Sequence, residues 1–272
     1  MTGFWEPFEF AFFRNGLAVA VIAGALCGLV GAFVVVRGMS YLGHGLSHAV
    51  FGGAALGASA GIAYYPAAGA WGIASALLIG RISGRRVLNS DAAIGVVSTA
   101  SFAIGVVALA IWGQASRGID AVLFGSILGV AASDVLIVAT IATGIALVVA
   151  ARYRSLLFAS FDPDVAEASG LRVHRVDALL MVIMALAVLG TMQVIGAVLV
   201  SAAIVIPAAT ARLLTNSFGR MVVLSTALGA ASGLAGMIAS YHFDVPSGAT
   251  ITLVAAIGFV LAAVSRAVRH RG

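Results

Sequence analysis

Residues 16–36 read GLAVAVIAGALCGLVGAFVVV, a stretch of 21 residues without a charged side chain. An apolar run of about 20 residues is long enough for an α-helix to cross the hydrocarbon core of a membrane. Since such runs recur along the chain, the sequence predicts an all-α fold, a polytopic transmembrane helical bundle of about eight to nine spans. The further apolar runs lie at about 44–62, 66–80, 92–112, 134–151, 176–192, 194–213, 221–240 and 247–264.

The composition excludes an ordinary soluble domain. Of the 272 residues, 62% are hydrophobic and 9% are charged, and the mean hydropathy is +1.13. These values lie far from those of soluble globular proteins. We therefore expect a single transmembrane domain over residues 1–272, with an amphipathic lead-in at 1–15 and one longer polar loop at 152–175.

The arginines predict the orientation in the membrane. All 15 basic residues are Arg and the net charge is +5, which favours loop anchoring on the cytoplasmic side over a nucleic-acid partner. If nine spans alternate, all the Arg clusters fall on that side and the C-terminus is cytoplasmic. The loop 113–120 then lies outside, followed by a short re-entrant or lid-like helix at 124–132. The clusters are Arg81, Arg85 and Arg86; Arg152, Arg154, Arg172 and Arg175; Arg212 and Arg220; Arg266, Arg269 and Arg271.

Pairs of small residues four positions apart are frequent. In lipid, such pairs let two helices approach closely, because apolar side chains gain nothing by leaving the acyl chains. We therefore expect a tightly packed bundle. The pairs are Gly24 with Gly28, Gly53 with Gly57, Gly57 with Gly61, Gly125 with Gly129, and Gly229 with Gly233.

The histidines of the segment HGLSH, His44 and His48, are the strongest candidates for chemistry. Four residues apart on a helix, their imidazoles share one face and can supply two nitrogen ligands to a metal ion. Ionisable side chains at membrane depth usually face a wet cavity and are functional. Two other interpretations are a catalytic zinc site and hydrogen bonds to neighbouring carbonyls.

Catalysis is disfavoured by the residues beside the pair. A membrane metalloprotease would have Glu directly after the first histidine, as the general base for metal-bound water. Here that position is Gly45, and no carboxylate follows within the helix. Because two imidazoles do not complete a tetrahedral site, a symmetric second copy or a water shell would have to do so. An incomplete site suits a metal that must be released.

Residues 37–49, RGMSYLGHGLSHA, resemble a signature of the integral permeases of ATP-binding-cassette importers for zinc and manganese, the metal-chelate type. The family pattern is Arg-x-Met-Ser-x-x-Gly-Asp-x-x-Ser-His-Ala. In that family the Asp and His of two permease subunits are implicated in holding the metal in the translocation path. The resemblance thus gives this role to His48, and to His44 in the position of the Asp. Imidazole in place of a carboxylate should favour Zn²⁺ over Mn²⁺.

A second resemblance to the same family covers residues 193–211, QVIGAVLVSAAIVIPAATA. Pro207 lacks a helical donor and should kink this span, and Ser201 and Thr210 can satisfy the loosened backbone groups. A kinked helix with small side chains suits a pore wall. We therefore predict that Ser201, Pro207 and Thr210 belong to pore-lining helices, together with Ser47.

The polar loop contains residues 161–171, FDPDVAEASGL. Asp162 before Pro163 predicts a helix N-terminus and Gly170 its end, so a short cytoplasmic helix results. In the resembling family, an Asp-Pro-x-x-Ala-x-x-x-Gly stretch forms the coupling helix that docks into the ATPase subunit. The resemblance gives that role to Asp162, Pro163, Ala166 and Gly170. A solvated connector is the alternative.

Three other acidic or histidine residues have structural explanations as well. Asp134 is expected to cap the helix that follows it. His242 and Asp244 stand in an outer turn, where a metal contact or an ordinary polar turn before Pro246 would explain them.

The chain has no lysine, so it contains no phosphate-binding loop of the type GxxxxGK[ST]. The resemblance then implies a non-enzymatic permease subunit in a bacterial cytoplasmic membrane, with no permanently bound cofactor and with Zn²⁺ or Mn²⁺ as cargo. Its partners would be a cytoplasmic ATP-binding subunit, an extracytoplasmic metal-binding protein, a second permease copy and membrane lipid. The alternatives are a vitamin or siderophore importer permease and a proton-coupled cation transporter.

Overall fold

A computed structural model describes residues 6–84, 89–112, 123, 125 and 130–269. Within these ranges the chain forms α-helices after a 3-10 turn at Glu6–Glu9, and no strand, so the all-α prediction is confirmed. The helices are α1 (Ala11–Val36), α2 (Ser40–Ser59), α3 (Tyr64–Gly84), α4 (Ser90–Trp112), α5 (Ala132–Phe161), α6 (Pro163–Ala168), α7 (Val173–Ile195), α8 (Val200–Leu214), α9 (Phe218–Phe243) and α10 (Ser247–Arg269).

Six of these helices are long and apolar enough to cross a membrane, namely α1, α4, α5, α7, α9 and α10. The predicted count of eight to nine spans is therefore not confirmed. Helices α2 and α3 have the length, 20 and 21 residues, but their polar side chains and glycines lower the mean hydropathy. Helix α8 is short, with 15 residues.

The boundary between α7 and α8 differs from the prediction. We expected one run to end at Met192 and the next to begin at Val194. Instead α7 continues to Ile195 and ends at Gly196, whose φ of 87° is unfavourable for residues with a side chain. The first part of the predicted run thus belongs to α7, and α8 begins at Val200.

Several predictions fall on residues outside the described ranges. They concern the outer loop at 113–120, residues 124 and 126–129 of the re-entrant helix predicted at 124–132, and Gly129, the partner of Gly125 in one small-residue pair. Arg85, Arg86 and Arg271 lie outside these ranges too. At the end of the re-entrant segment, Ala132 is already the first residue of α5.

Small residues of the predicted pairs hold α1 against α9, a pairing of helices that the sequence did not indicate. A Cβ atom added to Gly28 would lie 2.0 Å from the Ser225 carbonyl oxygen, and one added to Gly24 would lie 2.1 Å from that of Gly229. The Ser225 hydroxyl donates to the Gly28 carbonyl at 2.7 Å. Only glycine permits this approach, and interhelical polar contacts then stabilise it in an apolar medium.

Glycines also fix α2 between α3 and α4. Gly53 and Gly57 contact Trp71 and Ala67 of α3, while a Cβ on Gly52 would lie 2.2 Å from the Ser101 carbonyl oxygen of α4. Gly61 lies two residues after the end of α2, has a φ of 70° and has open space around it. Of the predicted pair Gly57 and Gly61, only Gly57 therefore packs against another helix. Helices α7 and α8 also contact α2, and the side that carries Tyr41, His44 and His48 stays partly open.

Candidate metal site

The two histidines of α2 face one another. The Nε2 atom of His44 lies 3.2 Å from the Nε2 atom of His48, and the rings are nearly perpendicular with centroids 4.6 Å apart. The helical spacing of four residues places them one above the other, as predicted. Phe102 of α4 packs edge-on against His48, with a centroid distance of 5.1 Å, and limits where this ring can turn.

The separation of the nitrogens suits chelation. If both Nε2 atoms bound one zinc ion at about 2.1 Å, their 3.2 Å separation would give an N–metal–N angle of about 100°. This angle is compatible with tetrahedral or octahedral coordination. Without a metal, one nitrogen must donate a proton to the other, because a neutral imidazole has one donor and one acceptor. The two Nε2 atoms can thus share a hydrogen bond when no metal is bound and can both bind a metal ion when one arrives.

The surroundings of His48 differ from those of a resident metal site. Histidines that bind a structural metal normally donate their other ring nitrogen to a carboxylate or carbonyl, which fixes the ring and strengthens the ligand. The Nδ1 atom of His48 is buried and has no hydrogen-bond partner among the described residues. A ligand without this support favours transient over permanent binding.

Further protein ligands do not converge on the pair. Across the part of the chain that the structure describes, no group of three or more His, Cys, Asp or Glu side chains could hold a metal ion. Two imidazoles from one chain therefore need ligands from water or from another molecule.

The ligand pair borders an open face of α2. Tyr41 is 50% exposed, and both histidines are partly exposed. Ser47 is fully buried on another side of α2, and its hydroxyl donates to the His44 carbonyl at 2.8 Å. Ser47 therefore stabilises the helix backbone under the site and does not point into an open passage.

The structure separates the three predicted pore residues of α8. Ser201 is partly exposed and close to α2, since a Cβ on Gly43 would lie 3.7 Å from its Cα atom. Pro207 lies inside the helix and is buried, and Thr210 is 3% exposed. Thr210 donates to the Ile206 carbonyl at 2.8 Å, which is not the carbonyl that Pro207 leaves without its donor. Gly43 is buried and lies four residues before Ser47 on the same side of α2, so Ser201 is beside the packed side of this helix and not beside its open face.

The predicted short helix of the polar loop exists as α6. The Asp162 carboxylate accepts from the Val165 N–H at 3.0 Å, Pro163 occupies the first turn, and Gly170 follows the helix with a φ of 86°. Ala166, on the inner side of α6, is fully buried. The outward side carries Val165, and Phe161 lies exposed just before the helix.

One contact of this end of the molecule was not predicted. Arg37, between α1 and α2, donates from Nε to the Ser160 hydroxyl at 2.8 Å and forms an ion pair with Asp177 through Nη1. Its partners lie 123 and 140 residues away in sequence, so neither spacing nor hydropathy indicates them. In the sequence, only the place of Arg37 in the quoted signature indicated that this residue is important.

Two simpler predictions can be compared with local geometry. Asp134 accepts from the Ala131 N–H at 2.9 Å, which confirms its place at the start of α5. His242 bonds the Ile238 carbonyl at 2.9 Å, and Asp244 ends α9 with a φ of 51°. These positions fit a polar helix end.

Nearly the whole chain matches one known family of membrane proteins. The model of the ABC 3 transport family matches residues 9–266. This chain belongs to the ABC 3 transport family. As an ABC 3 permease, it is a membrane subunit of a class of ATP-binding-cassette transporters.

Relatives and a solved structure agree with this assignment. The chain is 38% identical to the manganese transport system membrane protein MntC of Listeria monocytogenes, over 93% of this chain and 90% of the relative. It is 35% identical to a probable iron transport system membrane protein of Haemophilus influenzae, over 98% of both chains. It also superposes on a chain of PsaBC from Streptococcus pneumoniae, solved with a Fab, with a TM-score of 0.86 and 35% identity, over 94% of this chain and 92% of the other.

Proposed function

We propose that this chain is the permease subunit of an ATP-driven importer for a divalent transition metal, with His48 and His44 as ligands in the translocation path. The observation that carries the proposal is the chelating arrangement of the two Nε2 atoms on the free face of α2 in a member of this family. The Nδ1 atom of His48 has no hydrogen-bond partner in the described ranges, which suits a ligand that must release its ion.

The cargo is Mn²⁺ or Zn²⁺. The names of relatives such as MntC favour manganese. The ligand chemistry favours zinc, because imidazole suits Zn²⁺ and carboxylates suit Mn²⁺. No cofactor is required by this role, since the metal is transported and does not stay bound.

The assembly contains further chains. Since the sequence has no lysine and hence no phosphate-binding loop of the usual type, a cytoplasmic ATP-binding subunit hydrolyses ATP. A second permease copy completes the coordination of the metal across the free face of α2, and an extracytoplasmic metal-binding protein delivers the ion. The complex lies in a bacterial cytoplasmic membrane, with the α6 loop and the C-terminus on the cytoplasmic side.

The single transmembrane permease domain of residues 1–272 then has two working regions. At one, the histidine pair binds metal, and Ser47, Ser201, Pro207 and Thr210 belong to the helices that line the path. At the other, α6 docks on the ATPase, with Asp162, Pro163 and Gly170 defining the helix and Ala166 anchoring it. Phe161 and Val165, 55% and 50% exposed, supply apolar surface for this contact.

Reconstitution tests this function against its alternatives. The permease is placed in proteoliposomes with its ATPase and binding protein, and uptake of radioactive Mn²⁺ and Zn²⁺ is measured with and without ATP. We expect uptake that requires ATP and persists when a protonophore abolishes the proton gradient. Uptake that needs the gradient and ignores ATP would favour a proton-coupled transporter. ATP turnover stimulated by an organic chelate and not by free metal would favour a siderophore or vitamin permease.

A further inference from the structure

Arg37 connects the segment that carries the histidines to both helices that flank α6. Its guanidinium bonds the Ser160 hydroxyl at the end of α5 and the Asp177 carboxylate in the first part of α7. The Arg37 side chain is 9% exposed. Because the group is charged and largely removed from solvent, these two contacts determine where it lies.

On one side, the contacts lie very close to the predicted ATPase contact. Ser160 is followed by Phe161, the last residue of α5, and by Asp162, the residue that caps α6. Asp177 lies on α7, four residues after its start at Val173. A displacement of α6 must therefore displace the atoms that hold the guanidinium.

On the other side, the backbone of Arg37 is tied closely to α2. Residues 37–39 are the whole connection between α1 and α2. Three hydrogen bonds hold it to the end of α1, from the N–H groups of residues 37–39 to carbonyls of residues 33–35 at 3.0 to 3.2 Å. A fourth joins it to α2, from the Leu42 N–H to the Met39 carbonyl at 2.9 Å. A short, hydrogen-bonded connection cannot absorb a movement, so the start of α2 follows the position of Arg37.

We propose that Arg37 is the positioning residue that transmits movement of α6 to the histidine pair, through Ser160 and Asp177 on one side and the start of α2 on the other. This inference rests on the proposed function. Separation of Arg37 from Asp177 would leave a buried guanidinium without its counter-charge, and its Nη2 atom already has no partner among the described residues. When the end of α5 and the start of α7 move, it therefore costs less free energy for α2 to move with them than for Arg37 to separate from Asp177.

The test compares metal transport with ATP hydrolysis in the reconstituted complex. The variants are Arg37→Gln, Asp177→Asn, Asp177→Glu and Ser160→Ala, with Arg81→Gln as the control, because Arg81 is an exposed arginine on α3. The measured quantity is the number of metal ions imported per ATP hydrolysed. We expect this ratio to fall by at least about tenfold in Arg37→Gln and Asp177→Asn, by less in Ser160→Ala, and to be kept by Asp177→Glu, which retains the carboxylate.

A purely structural role gives a different result. Loss of folded complex lowers uptake and ATP hydrolysis in parallel, so it leaves the ratio unchanged, and an unchanged ratio in both charge-removing variants overturns the inference. If Arg37→Gln does not assemble, Asp177→Asn and Asp177→Glu decide the question with the arginine in place. Should the wild-type complex import no metal at all, the proposed function itself would fail.

Discussion

At the residue scale, the function depends on what His44 and His48 can bind. Their Nε2 atoms are 3.2 Å apart because the helix stacks residues separated by four positions. The sequence was sufficient to predict this pairing, since the periodicity of a helix is fixed. It was not sufficient to predict that the Nδ1 atom of His48 is buried and has no partner within the described part of the chain, which depends on the packing of α4 against α2.

The first prediction concerns metal preference. In His44→Asp, a carboxylate replaces one imidazole and restores the pattern of the resembling family. We expect the ratio of Mn²⁺ to Zn²⁺ uptake to rise by about tenfold, because oxygen ligands suit Mn²⁺ better. Competitive uptake of the two radioactive ions measures the ratio. His174→Asp, at an exposed position on α7, is the control, and equal ratios in the three proteins would contradict a ligand role for His44.

At the element scale, the ends of α6 follow from local chemistry that can be recognised in the sequence. Asp162 caps the helix, Pro163 starts it, and Gly170 takes a positive φ after it. The boundary between α7 and α8 could not be recognised in this way, because Gly196 stands inside a continuous apolar run. Nor could periodicity show that Ser201 lies beside α2 while Thr210 is buried, since that depends on neighbouring helices.

The second prediction tests the docking of α6. The Val165 side chain is half exposed, so Val165→Glu should leave the permease folded while it introduces a charge into an apolar contact. We expect binding of the ATPase subunit to weaken by at least about tenfold, as for a charge placed in the centre of an interface. Co-purification and a binding titration in detergent measure the effect.

The control for this experiment is Val245→Glu. Val245 is 41% exposed and lies in the turn between α9 and α10, away from α6. This variant should bind the ATPase like the wild type. Equal affinities for all three proteins would leave α6 as a solvated connector.

At the scale of the whole molecule, the free face of α2 is expected to meet a second copy. Helices α3, α4, α7 and α8 pack on α2, and the side of Tyr41 stays partly open. The long-range contacts of the bundle, such as Arg37 with Asp177, join residues far apart in sequence and could be found only in the folded chain. The apolar runs predicted the helices, but not which of them pack together.

The third prediction tests the second copy. Cys27 is the single cysteine and is buried, so an added cysteine reports contacts at its own position. In Tyr41→Cys, we expect a disulfide-linked dimer after mild oxidation of membranes. The control is Leu136→Cys, because Leu136 is 70% exposed on α5, which packs on α1 and α7. Equal cross-linking of both variants, or of neither, would contradict a dimer through the face of α2.

Uptake by His48→Ala is the most direct test of the central claim that the histidine pair carries the metal. The variant is reconstituted with the ATPase and binding protein beside wild type and His174→Ala, and ATP-dependent uptake of Mn²⁺ and Zn²⁺ is measured at equal amounts of assembled complex. We expect uptake by His48→Ala to fall by about a hundredfold or more, while His174→Ala transports like the wild type. Wild-type uptake of both metals by an assembled His48→Ala complex would contradict the account.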